Sequence, residues 1–174
     1  MTRFLLATLA ISAFTSTTFA SQPVPKESLL TPPEDATRYV IVSDTNTHGD
    51  EWRWETEDGA IAFRKSQTLR GWITETDALV VMGYDGKPLR IQIRGVTPRG
   101  NAAEEMVTDE NGIRWDSGAD TGTAPPDGGF YLTKGGPNAM FGMLVEYMLD
   151  KGDVKLLPTG TARLRDGGTL SIED

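Results

Sequence analysis

The sequence predicts a mainly β fold of the α+β kind, a curved antiparallel meander or half-barrel packed around one helix at about residues 137–151. Two observations carry this prediction. Short runs of β-branched or alternating apolar residues recur along the chain, and each ends in a turn signal such as Asp-Gly or Asn-Gly. Only one stretch places its apolar residues at helical spacing. Because strands joined by short turns pair antiparallel, the pattern argues against a parallel α/β sheet.

The strand signals start at Arg38, where RYVIVS is rich in β-branched residues. In chain order, the predicted strands lie at residues 38–43, 51–55, 60–65, 68–82, 89–94, 103–107, 113–115, 130–132, 154–157, 161–165 and 169–172. Asp58-Gly59, Asp85-Gly86 and residues 99–101 predict turns, and Asn111-Gly112 predicts a type I′ hairpin. Residues 117–129 predict a loop.

Two of these strands carry predictions about which side chains are buried. In residues 89–94, Leu89, Ile91 and Ile93 are expected to face the core, because alternate residues of a strand share a face. Residues 68–82 are predicted to form one strand with a bend near Asp77. In that strand, one face is expected to hold Leu69, Gly71 and Ile73, and the other Arg70, Trp72 and Thr74.

The predicted helix has a start and a stop signal. Pro137 suits the first helical position, where its missing N–H is not needed, and Gly152 suits a left-handed C-cap. Apolar side chains fill most of the circumference, so we expect the helix to be covered on most sides. Only Gly142, Glu146 and Asp150 form a polar stripe, which we expect to face water.

The N-terminal residues are expected to lie outside the folded domain. Residues 1–20 combine Arg3, an apolar run too short to span a bilayer and a small-x-small ending, which predicts a secretory signal peptide. Residues 21–37 contain four prolines and predict an extended leader or linker, in which Leu29 and Leu30 are expected to contact the domain. Residues 38–174 then form a single β-rich domain, and the product is expected to be exported, periplasmic or secreted.

Composition excludes several classes of function. The chain has no cysteine, which rules out disulfides, thiol catalysis and cysteine-ligated zinc. Its net charge of −8 argues against nucleic acid or an anionic membrane as a partner, since phosphate groups are neutralised by clustered Lys and Arg. After residue 20, no apolar run is long enough to predict a membrane span.

The single histidine, His48, lies in a weak match to a calcium loop. Residues 44–55 place Asp44, Asn46, Gly49 and Glu55 at the spacing of such a loop, but His48 stands where an acidic or amide residue belongs. The flanking segments predict strands instead of helices. We therefore expect a polar hairpin turn here.

Other candidate residues also have ordinary structural readings. Asp120-Thr121-Gly122 spells the aspartic protease tripeptide, but the chain lacks a second copy to share the proton. The pairs Glu104-Glu105 and Asp109-Glu110 are expected at exposed strand positions. The four tryptophans are expected to pack in the core or on a sheet face: Trp52, Trp54, Trp72 and Trp115. The sequence assigns no catalytic residue, metal ligand or cofactor, and it leaves the ligand-binding residues unknown.

Four segments carry a resemblance to a known family: RYVIVSDTNTHGDEW (38–52), LRGWITETDAL (69–79), IRGVTPRGNAAE (93–104) and GGPNA (135–139). Together they resemble the N-terminal β-rich region of exported bacterial amidohydrolase-family proteins, which precedes a metal-dependent (β/α)₈ barrel. The resemblance spans roughly residues 36–165. The metal ligands of that family belong to the barrel, so the resemblance assigns no catalytic or metal-binding residue to this chain.

Three functions follow as hypotheses. The resemblance implies an exported, non-catalytic accessory region, truncated or stand-alone, with an amidohydrolase barrel as its partner. The alternative is a periplasmic half-barrel that binds a lipid or other hydrophobic small molecule. An enzyme in its own right is the weakest hypothesis, because no nucleophile–base pair or metal set emerges from the sequence.

Overall fold

The computed structural model describes residues 26–44, 46–165 and 169–173, which form two β-sheets and one α-helix. The predicted signal peptide at 1–20 and the first part of the predicted leader lie outside the described residues. Antiparallel pairing dominates, and the mainly β meander with one packed helix is confirmed.

The larger sheet contains nine strands. In chain order they are β1 (Thr37–Ser43), β2 (Asn46–Glu55), β3 (Ile61–Leu69), β4 (Trp72–Met82), β5 (Pro88–Thr97), β6 (Gly100–Asn101), β7 (Glu104–Asp109), β8 (Gly112–Asp116) and β9 (Thr121–Ala124). Their spatial order follows the chain from β1 to β5 and then β7 to β9, with the short β6 beside β5. Within the described residues β1 and β9 do not pair, so the sheet stays open.

The smaller sheet contains four strands, of which one precedes the helix in the chain and three follow it. Its strands are β10 (Phe130–Tyr131), β11 (Val154–Leu157), β12 (Thr161–Arg165) and β13 (Thr169–Glu173). The helix α1 (Phe141–Lys151) connects β10 to β11, and these two strands pair in parallel. The turn signals predicted antiparallel neighbours and not this parallel pair, which is possible because a helix carries the chain back to the starting end of the sheet.

The helix ends at Gly152, the residue predicted to cap it, but with a ψ of −147° that lies outside the left-handed helical region, and its start differs from the prediction. Gly152 adopts φ 80° and its N–H donates to the carbonyl of Met148, which closes the C-terminus. At the other end, Pro137 stays extended, and a 3-10 turn at Asn138–Met140 comes before α1.

Only one face of α1 is covered. Met143, Leu144 and Met148 are buried, whereas Phe141 and Leu149 are largely exposed. The prediction of cover on most sides was therefore wrong, because the sheets contact a single helix face. The polar stripe of Gly142, Glu146 and Asp150 does face solvent.

The buried helix face packs on one face of the larger sheet, which we call the inner face. Alternate residues of β3 to β7 supply its apolar core: Phe63, Ala78, Val80, Ile91, Ile93 and Met106. The strands of the smaller sheet add Phe130, Leu156 and Ala162. At roughly 1.5–3 kcal/mol for each large side chain, burial here is the main source of stability.

Two register features correct the predicted strand faces. A two-residue turn at Arg70-Gly71 divides residues 68–82 into β3 and β4, so Leu69 and Trp72 become cross-strand partners on the same face. No bend occurs at Asp77. The irregularity lies at Val81/Met82, where Leu89 is the extra residue of β5 and is exposed, unlike Ile91 and Ile93.

Two further predictions were partly wrong. The hairpin near Asn111-Gly112 exists, but its two turn residues are Glu110 and Asn111, since Asp109 pairs with Gly112. The predicted loop at 117–129 contains the edge strand β9, which pairs with β8. Its Thr-Gly-Thr-Ala sequence gives little strand signal, and pairing with a preformed neighbour decides its conformation.

Candidate functional site

The inner face has two halves: α1 packs against one of them, and the other is open to solvent. Under α1 lies the covered half, where the space between helix and sheet measures only about 10 Å³. Beyond the helix the same face continues to the tips of three hairpins, where it lines a groove of about 810 Å³ that we call the open half. The groove residues are Ser43, Asn46, His48, Gln67, Leu69, Arg70, Trp72, Thr74 and Pro98.

The strand period shows that both halves belong to one face. Phe63 lies in the core, and Lys65, Gln67 and Leu69 follow it at intervals of two residues along β3. The side chain of Lys65 is buried against Glu51, beside the segment that leads into α1, whereas Gln67 and Leu69 line the groove. One continuous surface therefore changes from filled to open within a few residues.

Trp72 and Leu69 form the apolar part of the groove. They are cross-strand partners that close the β3–β4 hairpin, and their exposed fractions are 62% and 39%. An indole this exposed offers a flat apolar surface with a polar N–H at its edge. Trp115 packs in the core as expected, whereas Trp72 lies exposed on the sheet face.

Arg70 lies at the tip of the same hairpin in an unusual conformation. Its φ is 52° and that of Gly71 is 81°, so the two residues form a type I′ turn. Gly is favoured at the first position of this turn because it has no Cβ, and Asn because its short polar side chain can hydrogen-bond locally. Arg has neither advantage, so its left-handed conformation is disfavoured. The sequence therefore places a cation at a position that other residues occupy more easily.

Ser43 and His48 face each other across the β1–β2 hairpin. Ser43 Oγ lies 2.5 Å from His48 Nε2, which is the distance of a nucleophile–base pair. Among the described residues, however, no carboxylate bonds the other ring nitrogen of His48, so nothing fixes the ring as the third member of a triad does. The sequence analysis did not find this pair, because its two members are brought together only by the hairpin register.

The covered half holds two buried acids, and each binds the segment that leads into α1. Glu51 pairs with Lys65 Nζ at 3.2 Å and accepts hydrogen bonds from the backbone N–H groups of Asn138 and Ala139. These are donors at the start of a helical segment, which a carboxylate satisfies well. Glu51 and Lys65 therefore have a structural role.

Glu104 is the second buried acid, with an exposed fraction of 4%. It accepts hydrogen bonds from Tyr131 Oη and from the backbone N–H groups of Lys134 and Gly135. Burial, together with the charge of Glu104, raises the pKa of Tyr131 above its ordinary value. The sequence analysis expected Glu104 at an exposed position and was wrong, because β7 presents it to the inner face.

On the opposite, outer face a second ionic cluster lies beneath the segment that precedes β1. Glu75 accepts hydrogen bonds from Lys26 and Ser66 and is paired with Arg64, while Asp77 pairs with Arg94 at 2.5 Å. Burial acts to raise the pKa of Glu75, but the bonds from Lys26, Arg64 and Ser66 outweigh it and the pKa is lowered.

Asp77 also accepts the backbone N–H of Leu30, and Leu29 is buried. The outer-face cluster therefore fixes the residues before β1 to the sheet. Its acids are already occupied by cations and amide donors, which leaves them no role as free acid or base groups.

The remaining sequence candidates are dispersed. Asp44 begins the β1–β2 turn, whereas Glu55 ends the extended strand β2, so the two ends of the proposed calcium loop are separated by that strand. Asp120 precedes β9 and pairs with Lys134. In the described part of the chain, no group of three or more potential metal ligands occurs.

Fold and site together define a mainly β domain with an open groove on its inner face. No family model, curated protein or solved structure matches the chain, so neither the amidohydrolase resemblance nor any other relationship gains support from such a match. No helix among the described residues has the length and apolar character needed to cross a membrane.

Proposed function

We propose that this chain is an exported, non-catalytic β domain that acts as a binding module, and that the open half of the inner face is its ligand site. The observation that carries the proposal is the contrast in volume on one face: about 810 Å³ in the groove and about 10 Å³ beneath the helix. A groove of this size matches the usual range of small-molecule sites.

The composition of the groove supports a small ligand with an apolar ring. Trp72, Leu69 and Pro98 provide apolar surface, and the polar groups of Asn46, Gln67 and the other lining residues surround it. Small-molecule sites commonly combine a large apolar area with a few polar groups that set orientation. A lipid chain between helix and sheet is less well supported, since that space does not hold even a few water molecules.

Fluorescence titration with 8-anilinonaphthalene-1-sulfonate tests the site. The dye has flat rings and a polar group, and we expect saturable binding by the purified chain. Trp72→Ala should weaken binding by about tenfold, as expected for loss of an aromatic stacking surface. Ile73→Ala is the matched control, because Ile73 is a similarly exposed apolar residue on the opposite face of the same strand. Equal binding by wild type and Trp72→Ala contradicts the proposal.

The accessory role beside an amidohydrolase barrel remains a second candidate. It rests on the resemblance, and one structural observation favours contact with another protein surface: the edge strand β1 exposes Tyr39, Val40 and Val42. Genomic DNA beyond the codon for Asp174 supplies the test. A barrel sequence with a His-x-His pair there supports this role, and an unrelated gene contradicts it.

A further inference from the structure

We propose that the ligand of the groove carries an anionic group, which Arg70 binds while Trp72 contacts the ring. This inference rests on the proposed binding function and specifies the chemical class of its ligand: a ring compound with a carboxylate, sulfonate or phosphate substituent. Three independent observations support it.

The charge of the groove is opposite to that of the chain. Acidic residues outnumber Lys and Arg by 25 to 17, yet none of the nine groove residues is acidic. Arg70 and His48 are the two lining residues that can carry positive charge. Asp44 follows Ser43 in the hairpin but is not part of the lining. A groove that excludes acids in an acidic protein favours an anion.

Arg70 also has no carboxylate partner within 4 Å among the described residues. Five other arginines of the larger sheet are paired: Arg38 with Asp50, Arg64 with Glu75, Arg90 with Glu105, Arg94 with Asp77 and Arg114 with Asp109. Arg53 and Arg99 also lack a carboxylate partner among the described residues, but neither lines the groove. The guanidinium group presents a planar set of donors that matches a carboxylate, sulfonate or phosphate. At Arg70 these donors remain available to a ligand.

The backbone supplies the third observation. Arg70 occupies the left-handed first position of a type I′ turn, where Asn is the more stable choice. Local strain at a groove is a reason to look for a function of the strained residue. The turn also places Arg70 next to the cross-strand pair of Leu69 and Trp72, so a cation and a flat apolar surface lie at one end of the groove.

Arg70→Asn separates function from folding. The substitution removes the charge but places a favoured residue in the turn, so the urea midpoint should stay unchanged or rise. Affinity for 8-anilinonaphthalene-1-sulfonate should fall by about fivefold to tenfold, as expected for a lost charge-assisted hydrogen bond. Affinity for N-phenyl-1-naphthylamine, a neutral dye with the same rings, should change by less than about twofold. Lys155→Asn is the charge-matched control, since Lys155 is an exposed residue of β11 and not part of the groove.

The outcomes distinguish this inference from the proposed function. Trp72-dependent binding of both dyes, with no effect of Arg70→Asn on the sulfonate, overturns the anion inference and leaves the binding module intact. If Trp72→Ala changes the affinity for neither dye, both the anion inference and the proposed binding function are overturned.

Discussion

The covered half and the open half of the inner face are built on the same strands but satisfy their polar groups differently. In the covered half, Glu51, Lys65 and Glu104 are buried and bind each other or backbone donors of the segment that leads into α1. In the groove, Arg70 and Trp72 are exposed and contact no such partner among the described residues. The difference teaches that one face can provide stability where it is covered and binding where it is open.

The largest expected effect comes from breaking the apolar contact of the covered half. Leu144→Asp places a carboxylate at a side chain that is fully buried against the core. We expect a loss of more than about 4 kcal/mol in the free energy of unfolding, since apolar burial is lost and a charge is desolvated without a partner. Circular dichroism and urea titration measure the effect.

Leu149→Asp provides the control, because Leu149 lies on the same helix with 69% of its surface exposed. A change within about 1 kcal/mol is expected at such a site. If both variants unfold equally, the one-sided packing of α1 is wrong.

A smaller but still large effect is expected at the buried acids. Glu104→Ala leaves Tyr131 Oη and the N–H groups of Lys134 and Gly135 without their acceptor. A loss of about 3 kcal/mol follows, since each unsatisfied buried donor is costly.

The adjacent Glu105→Ala removes an exposed ion pair with Arg90 and should cost less than about 1 kcal/mol. Urea titration of the two variants measures how much stability each of these neighbouring acids, which lie on opposite faces of β7, contributes. Equal losses contradict the assignment of Glu104 to the inner face.

The outer-face cluster predicts that the free energy of unfolding falls at acidic pH. The pKa of Glu75 is lowered from its ordinary value of 4.5 in the folded chain, so its carboxylate stabilises the fold above that pH. The stabilisation is lost as the pH falls through the lowered pKa, because protonation then favours the unfolded state. Glu75→Gln should cost about 2 kcal/mol at pH 7 and progressively less toward pH 3, measured by urea titration.

Asp109→Asn tests whether this effect requires burial. Arg114 and the N–H of Asn111 lower the pKa of Asp109 as well, but this carboxyl group is exposed to water. Its removal should hardly alter the pH profile. A profile for Glu75→Gln parallel to that of wild type would show that Glu75 does not control the acid response.

The sequence predicted the covered half better than the open half. Ile91, Ile93 and Leu144 belong to strong apolar patterns, and the structure buries all three. For the groove, the prediction of one strand over residues 68–82 put Leu69 and Trp72 on opposite faces. The Arg-Gly pair between two alternating runs was the signal for a turn, but Arg is an uncommon first residue of a type I′ hairpin.

Local residue patterns and composition are enough to predict the strand and helix periods, the helix end at Gly152 and the absence of cysteine chemistry. Those features depend on local backbone preference and composition, which a short window contains. The burial of Glu104, the contact of Ser43 with His48 and the position of Trp72 beside Arg70 follow instead from the packing of the folded chain. These outcomes depend on register and on where the helix stops covering the sheet, because a shift of one residue moves a side chain to the other face.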